Sequence, residues 1–440
     1  MTNVFHRNPR RKPPIAVDGK GVYLIDFNGK EYIDASGGAA VSCLGHGDSD
    51  IIQAIKEQTE ALAYAHTGFF ASQPAEELAD FLIGRAPANF GKAFFVSGGS
   101  EAVEAAIKLA RQFHLENGEP DRCKFIARRQ SYHGNTLGAL AIGGNQWRRQ
   151  QFEPMLFDVT HISPCFAYRE QKDNETEEEY GLRAADELET EILKLGAEKV
   201  AAFVAETVVG ATAGAVPPVR GYFARIREIC DKYGVLLILD EVMCGLGRTG
   251  TFFAFEQEEI SPDIVVIAKG LAGGYQPIGA FLCTNYIYNL IHEGSGYFQH
   301  GHTYMGHPIA CAASMAVMKA IVERRLIENV REVGDYLNIK LNETFRDHPN
   351  IGDIRGRGLF RGLEIVENRR IKQPFDPALK VNVKLKNEAF ENGLICYPMG
   401  GTIDGYWGDH ILLAPPFIAS KNDIDKIVGI LEVVINSLEG

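Results

Sequence analysis

Two apolar runs in this sequence end abruptly in residues able to do chemistry. Val235-Leu236-Leu237-Ile238-Leu239 runs into Asp240-Glu241-Val242, and Ile264 to Ala268 runs into Lys269-Gly270. Runs of this length predict buried strands, and in open α/β sheets the ligand crevice lies outside the carboxyl ends of the strands. A carboxylate and an amine are therefore expected at one crevice. Burial disfavours the charged form of an amine, so a lysine in this position loses its proton more easily than a solvated one and can attack a carbonyl near neutral pH. If the first strand continues past its apolar run, Asp240 and Val242 share a face and can address the edge and the face of one flat ring. The alternative for Asp240 is that it caps a following helix.

A third segment, Ser97-Gly98-Gly99-Ser100, follows Phe94-Phe95-Val96 and leads into a helix with an apolar face of Val103, Ala106, Ile107, Ala110 and Phe113. A glycine turn entering a helix presents free backbone N–H groups and the positive end of the dipole, which suits a phosphate. Glycine turns between strand and helix are common, and this one acquires meaning only beside the other two segments.

The elements that must position these residues follow from the patterning. Val22 to Ile25 and Tyr32-Ile33 flank Asn28-Gly29, which predicts a small β-hairpin with a tight turn. From about residue 50 to 325, apolar runs alternate with helix-period segments, which predicts a mostly parallel central sheet with helices on both faces. Gln171 to Glu179 is acidic without apolar period and is expected as a solvated loop. After about residue 325 come further helical segments, glycine-rich turns at Arg355-Gly356-Arg357-Gly358, and an amphipathic helix carrying Ile424, Ile427, Ile430 and Val434. This predicts a second, smaller domain.

With 440 residues and 45% hydrophobic content the chain can bury a large core. A formal net charge of -12 argues against nucleic acid as a partner, and no apolar stretch approaches the roughly 20 residues of a membrane span. The eight cysteines show no metal-ligand or redox spacing and are expected as buried thiols. The basic N-terminal residues are followed by Pro13-Pro14 and not by an apolar core, so a cytoplasmic protein is expected.

Together the three segments resemble the class III (omega-type) aminotransferases, fold-type I enzymes dependent on pyridoxal 5'-phosphate. The likeness is dense at Val204-Ala205-Glu206, Leu237 to Val242, Gly247-Arg248-Thr249-Gly250, Pro262-Asp263-Ile264, Ala268 to Leu271 and Pro277-Ile278-Gly279-Ala280. The resemblance implies an α/β fold with a large cofactor-binding domain over residues 61–325. A smaller α+β domain would form from both termini, residues 1–60 and 326–440.

It also implies roles. Lys269 would carry the cofactor as a Schiff base and act as the proton carrier, and Asp240 would pair with the pyridine nitrogen. Val242 and Tyr132, from Ser131-Tyr132-His133-Gly134, would cover the ring faces, with His133 beside them. Gly99 and Ser100 would hold the phosphate, completed by Thr303 of a neighbouring subunit in a homodimer or higher oligomer. Glu206 would lie at the substrate side, although Thr207 follows it where the family usually has proline. Gly45-His46-Gly47 and Phe69-Phe70 would line the substrate entrance or serve packing. No metal is expected at His300, His302 and His307.

The implied reaction moves an amino group from a small amine to a keto acid. The same contacts also serve lyases, decarboxylases, racemases and aminomutases. One departure bears on the substrate. Many relatives carry an arginine near the Pro-Pro of the C-terminal stretch, but here Ile411-Leu412-Leu413-Ala414-Pro415-Pro416 has none, and no arginine follows Arg370. An amine or omega-amino donor without a carboxylate on its reacting carbon is therefore expected, with pyruvate as a representative acceptor. Lys380, Arg148 or Arg149 would supply the acceptor's cation, and Trp407 and Leu412 are candidates for an apolar donor pocket.

Overall fold

The computed structural model describes residues 2–439. Its centre is a seven-stranded sheet formed by β4 (Phe90–Val96), β5 (Lys124–Arg128), β6 (Val159–Ile162), β7 (Val200–Glu206), β8 (Leu236–Asp240), β9 (Ile264–Ala268) and β10 (Gly279–Thr284). These come after three N-terminal strands, β1 (Ala16–Lys20), β2 (Tyr23–Asp26) and β3 (Glu31–Asp34). The central order is β4-β10-β9-β8-β7-β5-β6. All neighbours run parallel except β10, which is antiparallel to both β4 and β9. Strands β7, β8 and β9 are buried along their whole length, as expected of strands covered on both faces.

The helix Gly99–Glu116 buries Val103, Ala106, Ile107, Ala110 and Phe113, the face read from the sequence, against the central sheet. The C-terminal helix Lys421–Asn436 buries Ile424, Ile427 and Val434 but leaves Ile430 half-buried. Beyond the central sheet, β11 (Ile351–Arg357), β12 (Phe360–Ile365), β14 (Tyr397–Gly400) and β15 (Asp409–Leu413) form a four-stranded antiparallel sheet. The short strand β13 (Leu394–Ile395) pairs parallel with β3, so one small sheet draws on both ends of the chain.

Four local expectations change. The hairpin between β2 and β3 forms, but only Gly29 takes a positive φ, and Asp26 Oδ1 accepts from the N–H groups of Asn28 and Lys30. The loop is thus one residue longer than the tightest turn, with glycine at the left-handed position. Glu177 to Glu179 form the first turn of the helix Glu177–Leu195 and not a loop, because Thr176 and Glu179 make a reciprocal capping box. Arg355 to Arg357 belong to β11, and the turn follows at Gly358. Seven cysteines are buried, whereas Cys123 is exposed.

The sheet and the glycine turn meet at Gly279. This residue pairs with Val96 on one side and Ala268 on the other, and a Cβ there would lie 2.5 Å from the Gly98 carbonyl oxygen. The obstacle is backbone and cannot swing aside. Gly279→Ala should therefore lower stability by about 1–3 kcal/mol through overpacking, read as an earlier midpoint in chemical denaturation. A midpoint equal to that of the parent protein would show that the Ser97-Gly98 turn moves freely.

Candidate functional site

The carboxyl ends of β7, β8 and β9 open into a cavity of about 460 Å³. Ser97 to Ser100, Tyr132 to Gly134, Glu206, Asp240, Val242 and Lys269 line it. Residues far apart in the sequence meet there because adjacent parallel strands end at the same level, with Glu206 paired to Asp240 in the ladder.

Asp240 is buried, and both of its oxygens are engaged. Oδ1 accepts from the Val242 N–H at 2.9 Å, and Oδ2 accepts from His133 Nδ1 at 2.8 Å. The strand stops at Asp240, so Val242 reaches the cavity through this local turn and not by strand alternation. Each carboxylate oxygen keeps a lone pair for a further donor. His133 Nε2 is buried without a partner.

Glu241, the next residue, faces away from Asp240 and accepts from Ala254 N, Phe255 N and Thr207 Oγ1. Thr207 thereby has a role that proline lacks, since its hydroxyl donates to this buried carboxylate. Desolvation raises the Glu241 pKa to about 7.

Lys269 follows β9 with φ at +48°, in the left-handed region that an ordinary side chain adopts at a cost. Its amine makes no hydrogen bond to any described residue. Desolvation is the largest influence and pulls its pKa from 10.5 down to about 8; Asp240 and Glu206 act in the opposite direction, and Arg148 reinforces the decrease. Glu206 is buried as well. Its Oε1 accepts from Tyr132 N at 3.0 Å and its Oε2 from Gly210 N at 2.8 Å, so it clamps two loops at the cavity wall. Burial raises its pKa.

The helix Gly99–Glu116 begins at the opposite wall. Gly98 at its N-cap provides no side chain, so the N–H groups of the first turn stay available to a ligand. A Cβ at Gly99 would lie 3.1 Å from Val242 Cγ1, leaving glycine as the residue that fits. Ser100 Oγ accepts from Asn135 N at 3.0 Å and can donate its own proton elsewhere. An anion-binding helix start, a carboxylate able to take a ring N–H, an aromatic ring, an apolar side chain and an amine of lowered pKa form a donor set that fits pyridoxal phosphate.

Other expected residues lie outside this cavity. Thr303 is exposed, and its carbonyl accepts from the Tyr64 hydroxyl at 2.9 Å. His46 pairs with Asp34, and Gly45 packs on Gly21. Phe69 and Phe70 are exposed. Leu412 is core, packed with Ala40 and Met243, and Trp407 is exposed on the loop between β14 and β15; neither lines this cavity. Arg149 is spent on the carbonyls of Leu140, Ala141 and Gly143, and Lys380 is exposed at the start of another helix. Sequence reasoning missed Val41, Met243 and Gln276 in the lining, which lie on loops without a periodic signal.

The chain as a whole resembles known proteins. The family model described as "Aminotransferase class-III" matches residues 5–435. An uncharacterized aminotransferase of Schizosaccharomyces pombe is 49% identical over 99% of this chain and 95% of its own. An (S)-enantioselective omega-transaminase from Thermomicrobium roseum superimposes with a TM-score of 0.92 at 35% identity, covering 98% of this chain and 94% of that one. The omega transaminase from Pseudomonas jessenii in complex with PMP gives 0.91 at 34% identity, over 97% and 92% of the two chains.

The lowered pKa of Lys269 has a direct readout. A small aldehyde admitted to the cavity should condense with this amine at a rate that climbs about tenfold per pH unit up to about 8 and then levels off. Borohydride trapping followed by peptide mass spectrometry measures it. A climb continuing towards 10.5 would place the amine in solvent-like surroundings.

Proposed function

Because the chain belongs to the class III aminotransferases, whose cofactor is pyridoxal phosphate, we propose that it moves an amino group from an amine or omega-amino compound to a small keto acid such as pyruvate. The observation that carries this reading is Lys269, with its pKa drawn down to about 8 in one cavity with the Asp240–His133 pair. When bound, pyridoxal phosphate supplies a carbonyl that takes up the amine and a ring that accepts the electrons of the breaking C–H bond. The first-turn N–H groups at Gly99 and Ser100, with the Ser100 hydroxyl, would hold its phosphate. Asp240, fixed by His133, would favour a proton on the ring nitrogen, and Val242 and Tyr132 would cover the ring. Lys269 Nζ would act as the base that takes the proton from the donor carbon and holds it for return. Glu206 holds the backbone of Tyr132 in place and so fixes the ring's cover. The same reading treats residues 61–325 as the cofactor-binding domain and the two ends of the chain as the smaller one.

The donor follows from what the C-terminal stretch lacks. With no arginine after Arg370, there is no planar fork at that position to grip an α-carboxylate. Incubating the holoenzyme with an amine and no acceptor should release one equivalent of carbonyl product per site and then stop. A lyase, racemase or decarboxylase would instead continue turning over or release none. Across glutamate, alanine, β-alanine, a diamine and an arylalkyl amine, kcat/KM should favour donors without an α-carboxylate. A preference for glutamate with 2-oxoglutarate would overturn the donor assignment.

The position of Thr303, exposed and away from its own cavity, supports its contribution to the site of a second subunit in a homodimer. Lys269→Ala chains and Thr303→Asp chains should each be inactive. Mixed in equal amounts under subunit exchange they should recover about a quarter of normal activity, since half the dimers carry one intact site. No recovery at any ratio, with exchange verified by mass, would refute the shared site.

A further inference from the structure

Resting on the transaminase reading above, we infer that Arg148 binds the carboxylate of the keto-acid acceptor and replaces the cation missing from the C-terminal stretch. Arg148 lies within the short helix Gln146–Arg149, and its guanidinium carbon lies 4.4 Å from the centre of the Tyr132 ring. It is half-buried, yet its guanidinium has no hydrogen bond or ion pair with any described residue. Its neighbour differs completely: the Arg149 guanidinium is satisfied by three backbone carbonyls. An arginine laid on an aromatic face keeps its N–H edge free for a planar, two-oxygen acceptor. The charge of Arg148 also reaches Lys269, where it favours the neutral amine. A group bound at Arg148 therefore lies within electrostatic reach of the reacting centre.

The place of this helix explains why it can take over. The loop between β14 and β15, just ahead of the Ile411–Pro416 stretch, packs directly on it. A Cβ at Gly405 would lie 3.0 Å from Trp147 N, and the Tyr406 hydroxyl donates to Gln150 at 2.6 Å. Gln130 fastens the start of the same loop through the carbonyls of Gly401 and Thr402. This loop has no basic residue, and the helix it lies on presents a free one beside the ring. Arg7, whose charge also reaches Tyr132, is exposed ahead of the first strand.

The test compares pyruvate with acetaldehyde, which is pyruvate without its carboxylate, in the parent holoenzyme and in R148A, R148K and R7A. Alongside, binding of propionate, a non-reacting carboxylate, is titrated by intrinsic fluorescence, with Trp147 next to the site. R148A should lower the pyruvate-to-acetaldehyde ratio of kcat/KM roughly 10- to 100-fold, the scale of a lost charge-assisted hydrogen bond. It should weaken propionate binding by a similar factor, and R148K should restore part of both by keeping charge without the fork. Equal losses for both acceptors would reduce Arg148 to a prop for Tyr132 and overturn the inference, as would a selective loss in R7A instead. If the parent enzyme transfers no amino group to any acceptor, the transaminase reading fails, and propionate binding unaffected by R148A would separately refute the role of Arg148.

Discussion

The site depends on an electrostatic contest at one amine. Lys269 sits near two buried carboxylates, Asp240 and Glu206, and both favour its charged form. Desolvation opposes them and prevails, so the amine titrates near 8, where an appreciable fraction is neutral at physiological pH. A more open cavity would leave a solvated ammonium, which is no nucleophile. Without the carboxylates the pKa of this amine would fall further still. The positive φ at Lys269 is the backbone strain accepted to turn this amine into the cavity at the end of β9.

Much of the surrounding structure holds the two carboxylates in place. Arg128, almost wholly buried at the end of β5, donates to the Glu206 carbonyl, and the Glu206 side chain in turn holds the backbone of Tyr132 and Gly210. His133 secures Asp240 from the Tyr132 loop. Glu241 points the other way and fastens the short helix Ala254–Glu258 together with Thr207. Arg248 reaches from the same region to the carbonyls of Leu359 and Pro415, and its guanidinium carbon lies 4.6 Å from the Phe417 ring centre. Through it the cavity's surroundings are joined to the C-terminal sheet. Breaking any of these buried pairings leaves an unsatisfied polar group, so the effect on the site is felt at a distance.

The floor of the cavity is made by the ends of buried strands. The Tyr132 loop forms part of its wall, the Gln146–Arg149 helix packs behind Tyr132, and the β14–β15 loop packs on that helix. No helix among the described residues is long and apolar enough to cross a membrane.

The amino-acid sequence by itself determined the central strands, the apolar face of the helix after Gly99, and the three segments that meet at the cavity. Those features are local: an uninterrupted apolar run, a helical period and a glycine turn each state their structure within a few residues. The family likeness added Tyr132, His133 and Glu206, which no periodicity marks. Only the tertiary structure decided what each side chain does there. Glu206 proved to be a loop clamp, Leu412 a core residue, and Arg149 a cap for backbone carbonyls, while its neighbour Arg148 stayed free over Tyr132. Two adjacent arginines are indistinguishable in a sequence. Which of them is consumed by carbonyls and which is left for a ligand depends on the turn of a four-residue helix and on the groups packed against it, and that information is stored in contacts between distant parts of the chain.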